Sequence, residues 1–219
     1  MTATTRAQPP ANADHRTKPR RRGEALFGAI FDATLAELAE VGYARLAIER
    51  VATRAHTSKA SLYKRWPNRA ELVLAALRHH RGTPEPTPDT GSLREDVLTL
   101  LRRGATLLGG IMGEVVRGLM AESLTGPTPI ATVRTNMFEA RNQRMREVLT
   151  RAADRGEIPA SAIQPHLIGL APGLVDHHFL FHGAPIPDEV LIGIVDGILL
   201  PLLTNPASPA CPLTPGQTP

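Results

Sequence analysis

Lys59, Tyr63 and Lys64 fall close together in the run "TSKASLYKRWPNR", Thr57 to Arg69. Lysine occurs at only three positions, Lys18, Lys59 and Lys64, and the same run holds the single tryptophan, Trp66, and one of two tyrosines. Ammonium groups and a phenol close to one another and without an acid in the run are donors, suited to holding an anion. They reach phosphate oxygens and the acceptor atoms of base edges. Ala60 and Ser61 between them are small, so a backbone carrying them can approach a groove closely. Bond-breaking chemistry finds no such gathering. There is no GxSxG, no phosphate-cradling glycine loop, no Cys/His zinc spacing and no acid pair set against an apolar pocket, so no catalytic residue and no cofactor are expected.

Those donors need short helices to aim them. Ser58 is a good N-cap for a helix that must end before Pro67. A short helix over about 47–55, with Ile48, Val51 and Ala52 inward, precedes it across the turn His56-Thr57. Two short helices joined this way are a helix-turn-helix, whose second helix enters the major groove. Leu62 faces inward against Val51 and Ala52, leaving Lys59, Ala60, Ser61, Tyr63 and Lys64 on the outer surface. Trp66 is read as packing rather than as a base contact. Upstream, Phe27, Ile30, Phe31, Thr34 and Leu38 follow helical spacing, ending near Gly42. Downstream, Asn68 caps a fourth helix with Glu71 three residues on, and Arg69 near its start is positioned for phosphate.

Charge divides the chain in the same way. From Arg16 to Arg81, Lys and Arg outnumber Asp and Glu 14 to 6; from Gly82 to the end they are outnumbered 10 to 14. A basic module that meets a polyanion is joined to one with another task. Residues 1–21 read as a disordered basic arm, and 205–219 as a disordered tail holding the lone Cys211. "TPEPTPDTGS", from Thr83, is a linker by composition, and Ser92 is the predicted next N-cap. Helical segments follow at about 93–108, 110–124, 129–154, 165–182 and 188–203, parted by glycine and proline breakers, and Pro172 should kink the fourth of these. The fold class is all-α, with 22–81 and 92–204 as its two domains. The N-terminus has no secretory pattern and the most apolar run is too short to span a bilayer, so a cytoplasmic protein with no membrane partner is expected.

The run "GYARLAIERVATRAHTSKASLYKRWPNRAELV" resembles the DNA-binding domain of the TetR/AcrR family of bacterial transcriptional regulators. The residues that carry the resemblance are Gly42-Tyr43, Ile48, Val51-Ala52, Ala55, Ser58-Lys59, Leu62-Tyr63, Trp66-Pro67, Arg69 and Leu72. The resemblance covers 22–81; beyond it the likeness is one of length and helix count. It implies a dimeric repressor on a palindromic double-stranded DNA operator, with a C-terminal helical domain that binds a small molecule and dimerises. It places DNA contacts at Thr57, Ser58, Lys59, Ala60, Ser61, Tyr63, Lys64 and Arg69, and the dimer interface on the helices at about 165–182 and 188–203. An apolar, methionine-rich ligand pocket is read at Leu108, Met112, Met120, Met137, Phe138 and Phe179, and the ligand is not named by the sequence. His178 and His182 have metal-ligand spacing, but they fall on the interface helix, and no metal is expected. The alternative is a non-specific or architectural DNA-binding dimer without a ligand. Three positions depart from the family pattern: His56-Thr57 replace Gly-Val in the turn, Ala47 replaces a hydroxyl residue, and Glu49 stands where a cationic base contact is sometimes made.

Overall fold

The computed structural model describes residues 23–83, 85–123 and 130–205. The basic arm, the residues after Asn205 and the break "TGPTP" lie outside the described residues.

The first helix, α1 (Glu24–Arg45), is interrupted where the sequence predicts its end. Gly42 adopts φ 75°, a left-handed conformation that costs glycine little, and one further turn, Tyr43–Arg45, follows at a new angle. Next come α2 (Ile48–Arg54), α3 (Lys59–Tyr63) and α4 (Arg69–Arg81). Ile30, Phe31, Leu38, Tyr43, Ile48, Val51, Leu62, Leu72, Val73 and Ala76 close over one another as the core of this head. Asn68 caps α4 as predicted: its Oδ1 accepts from the Glu71 N–H at 2.9 Å and its Nδ2 donates to Glu71 Oε1 at 3.1 Å.

The body consists of α5 (Leu93–Leu108), α6 (Ile111–Ser123), α7 (Ile130–Asp154), α8 (Pro165–His182), α9 (Asp188–Ile194) and α10 (Leu200–Thr204). Its core gathers Val97, Leu98, Leu101, Met145, Leu149, Ile168, Val175, Phe179, Leu191 and Leu199. α9 and α10 run on through a π-helical turn, Val195–Leu199. Pro201 has no N–H to offer the carbonyl one turn back, and the widened turn lies just before it. Pro172, where a kink is predicted, is buried inside one uninterrupted helix.

Two expectations change. Ser92 stands at the N-cap of α5 as predicted, but its side chain makes no cap bond; the Leu93 N–H donates instead to Glu157 Oε2 at 2.9 Å, a carboxylate brought to the positive end of α5 by the loop after α7. The segment that composition marks as a linker is a fastened strap. Arg103 donates to the Pro86 carbonyl at 2.8 Å, Arg151 to that of Pro88 at 2.7 Å, and Thr87 to Glu147 at 2.6 Å.

α6 belongs to both cores. Val115 and Leu119 complete the head cluster, whereas Val116 packs into the body. Two glycines let it sit so tightly: a Cβ at Gly118 would lie 2.1 Å from Tyr43 Cδ1, and one at Gly113 would lie 2.8 Å from the Phe179 ring.

Candidate nucleic-acid interface

The turn between α2 and α3 keeps its geometry without glycine. His56 takes φ 53°, donates to the Thr53 carbonyl at 3.1 Å, and leaves the Thr57 N–H to reach the Ala52 carbonyl at 2.9 Å. That is the paired bonding of a Schellman ending, with histidine in the left-handed position. Ala47 opens α2 with no side-chain cap.

Ser58 then starts α3 as predicted, its Oγ accepting from the Ser61 N–H at 3.2 Å. Leu62 is fully buried and anchors the short helix to α2. Trp66 closes it from the other end, edge-on to Phe31 with ring centroids 5.6 Å apart and edge-on to Phe27 at 6.1 Å. The opposite face is left outward. Ser58, Lys59, Ala60, Tyr63 and Lys64 are exposed, with Thr57 and Ser61 half-buried beside them.

The charges around this face are mostly committed. Arg54 forms a two-pronged pair with Glu40 at 2.8 and 2.6 Å, and Arg50 pairs with the buried Glu37. Arg65 turns back to Ser61 at 3.3 Å and covers the Phe27 ring. Lys59 pairs with Glu49 across the motif while its ammonium lies 5.5 Å from the centre of the Tyr63 ring. Their mutual hydrogen bond holds the Glu49 carboxyl below its ordinary range and raises the Lys59 ammonium. Both therefore stay charged at neutral pH.

Arg69 is placed differently from its expected phosphate contact. Its Nε donates to Glu122 Oε1 on α6 at 2.8 Å, its Nη1 donates to the Ala44 carbonyl at 2.9 Å, and its guanidinium lies 4.9 Å from the centre of the Tyr43 ring. It joins head to body. Tyr43 is buried beneath it; burial, together with the Glu122 charge, pushes its hydroxyl up to about 12. Sequence reasoning missed Glu114 and Glu122 as the acids facing the head, because nothing in their spacing fixes the rotation of α6 against α1.

The six residues read as a ligand pocket do not share one environment. Leu108 and Phe179 are buried in the body core. Met112 and Met137 lie partly buried where the two cores meet, Phe138 lies under Arg141, and Met120 is half-buried. Two open grooves lie elsewhere, one along α1 from Ala25 to Ala36 beside Arg54, the other between Leu38–Arg45 and Gly110–Arg117. The His178 and His182 rings lie 4.7 Å apart with their planes tilted by 39°, and no group of three metal-ligating side chains occurs among the described residues. Leu180, Phe181, Ile198 and Leu202 form exposed apolar surface on α8, the π turn and α10, with Phe181 73% exposed. No described helix is long and apolar enough to cross a membrane.

Comparison with known proteins agrees with this architecture. Residues 30–76 match the family model for bacterial regulatory proteins of the tetR family, and residues 87–198 match a tetracyclin repressor-like C-terminal domain. An uncharacterised HTH-type transcriptional regulator of Mycobacterium tuberculosis is 35% identical over 78% of this chain and 85% of its own length. A protein of Mycobacteroides abscessus named as the DNA-binding transcriptional repressor TetR is 30% identical over 83% of this chain and 96% of its own. The crystal structure of the TetR family transcription regulator SCO0332 superposes with a TM-score of 0.64 at 29% identity, covering 80% of this chain and 97% of that one. With a helix-turn-helix head, a helical body, and both halves matched, the chain belongs to the TetR family of DNA-binding transcriptional regulators, which are not enzymes.

Proposed function

We propose that the protein is a dimeric, sequence-specific repressor that leaves a palindromic operator when a small molecule binds its body. The carrying observation is the outward face of α3, where Lys59, Tyr63 and Lys64 stand on a helix held from behind by Leu62 and Trp66. Thr57, Ser58, Ala60 and Ser61 complete the contact surface. Arg69 is left out of it, since its donors are used on Glu122 and Ala44. The exposed Leu180, Phe181, Ile198 and Leu202 support dimerisation through the helices that carry them, since a second copy would take them out of water. Two heads joined in this way would meet successive major grooves about 34–36 Å apart. Release by ligand is supported by α6, which is shared between the two cores and hydrogen-bonded to the head. The pocket is proposed where Met112 and Met137 lie partly buried between the cores, with Leu108, Met120, Phe138 and Phe179 around it. Its ligand acts only through a difference in affinity between DNA-competent and DNA-incompetent states, and DNA weakens the ligand in return. The protein works in the cytoplasm, with DNA as its partner and no cofactor.

Selection of genomic fragments with the purified protein, followed by competition against random DNA, tests the reading. A steep preference for a palindrome is expected. A specificity ratio near one replaces it with an architectural dimer.

A further inference from the structure

Glu49 is an acid at the edge of a face built to meet the most densely anionic of polymers. It lies in the first turn of α2, is about half exposed, and reaches across the motif to Lys59, the first residue of α3. Three of the five other acids of the head are used differently. Glu37 and Glu40 hold Arg50 and Arg54, and Glu71 is half-buried in the cap of α4. Glu49 is paired with a side chain of the reading face itself.

We propose that Glu49 is a base-reading residue and that, with Lys59, it selects a cytosine next to a guanine in the operator. This role rests on the assignment of α3 as the reading helix. A carboxylate only accepts hydrogen bonds, and in the major groove the donors are cytosine N4 and adenine N6. Adenine places its N7 acceptor beside that donor and repels the charge; guanine and thymine offer the carboxylate acceptors alone. Cytosine is the base left. Lys59 supplies the complement. An ammonium has three donors, so it can keep one on Glu49 and turn another to guanine O6 or N7. It also offsets the repulsion between the carboxylate and the phosphates. The Glu49–Lys59 pair is a small contribution to stability, as exposed pairs are, and its consequence lies in what it rejects.

The test is selection from random double-stranded DNA by the full-length protein and by its Glu49→Gln and Glu49→Ala variants, with helical content and dimer state checked in parallel. Glu49 is exposed, so neither substitution disturbs the core. The wild type is expected to select cytosine at one symmetry-related pair of positions. Glu49→Ala should become indifferent there, losing roughly tenfold in preference, and Glu49→Gln should shift toward adenine, which an amide reads through N6 and N7. The rest of the motif should stay unchanged. If all three proteins select one motif and the variants merely bind more tightly, Glu49 is only an electrostatic penalty and the inference falls alone. If the wild type selects no motif, the inference falls together with the operator reading.

Discussion

The backbone N–H of Tyr43 donates to Glu114 Oε1 at 2.6 Å. The last turn of α1, displaced by the Gly42 kink, is thus held by a side chain from the body. Glu114 also occupies the space over Gly42, where a Cβ would meet the same oxygen. Together with Arg69 on Glu122, this ties α6 to α1 and α4, the two longer helices of the head.

The closeness of that contact can be measured with one methyl group. Gly118→Ala would drive a Cβ into the ring of Tyr43, which is buried and has no room to retreat. Overpacking of this kind costs about 1–3 kcal/mol. Gly104→Ala, inside α5 with open space around it, should instead stabilise by up to about 1 kcal/mol through helix propensity. Urea denaturation of the two variants is expected to give opposite signs; equal effects would remove the case for a tight head–body contact.

Lys64 and Arg69 should separate two roles that look alike in sequence. Lys64→Ala is expected to weaken DNA binding broadly and reduce the slope of log affinity against log salt by about one. Arg69→Ala should leave that slope nearly unchanged and lower stability on the order of 1 kcal/mol, between exposed-pair and buried-pair values. A slope change for Arg69→Ala equal to that for Lys64→Ala would mean that Arg69 leaves Glu122 for phosphate when DNA binds.

Acid should loosen the body through identified carboxylates. The Leu93 N–H holds Glu157 below its ordinary value of 4.5, and Arg102 and Arg94 hold Asp188 and Asp196 below 3.8. Their folded values are depressed, so the stability they contribute is complete above the ordinary values and disappears as pH falls through the folded ones. Thermal unfolding followed from pH 7 to pH 3 should show little change in the contribution of these groups until about pH 4.5, then a decline. Glu157→Gln should make that decline shallower.

Much of this architecture was legible in the residues because local signals marked it. Ser58, Asn68 and Gly42 punctuate helices where their chemistry allows, Leu62 is inward because the helical period puts it there, and Trp66, beyond the end of α3, packs on Phe27 and Phe31. His56, which replaces the glycine of the family pattern, takes the left-handed conformation that the turn needs. The strap escaped because proline and threonine composition describes a linker equally well whether or not Arg103 and Arg151 reach over to hold its carbonyls. The ion pair of Arg69 escaped for the same reason. Its partner Glu122 lies far along the chain, and only the packing of α6 against α4 brings them together.

The sharing of α6 also bears on where this protein can be cut. Val115 and Leu119 lie beyond the strap, yet they finish the core of the first four helices. A fragment ending at Arg81 would contain every residue of the reading face and still lack part of its own interior. Its unit of recognition and its unit of folding are different lengths of chain.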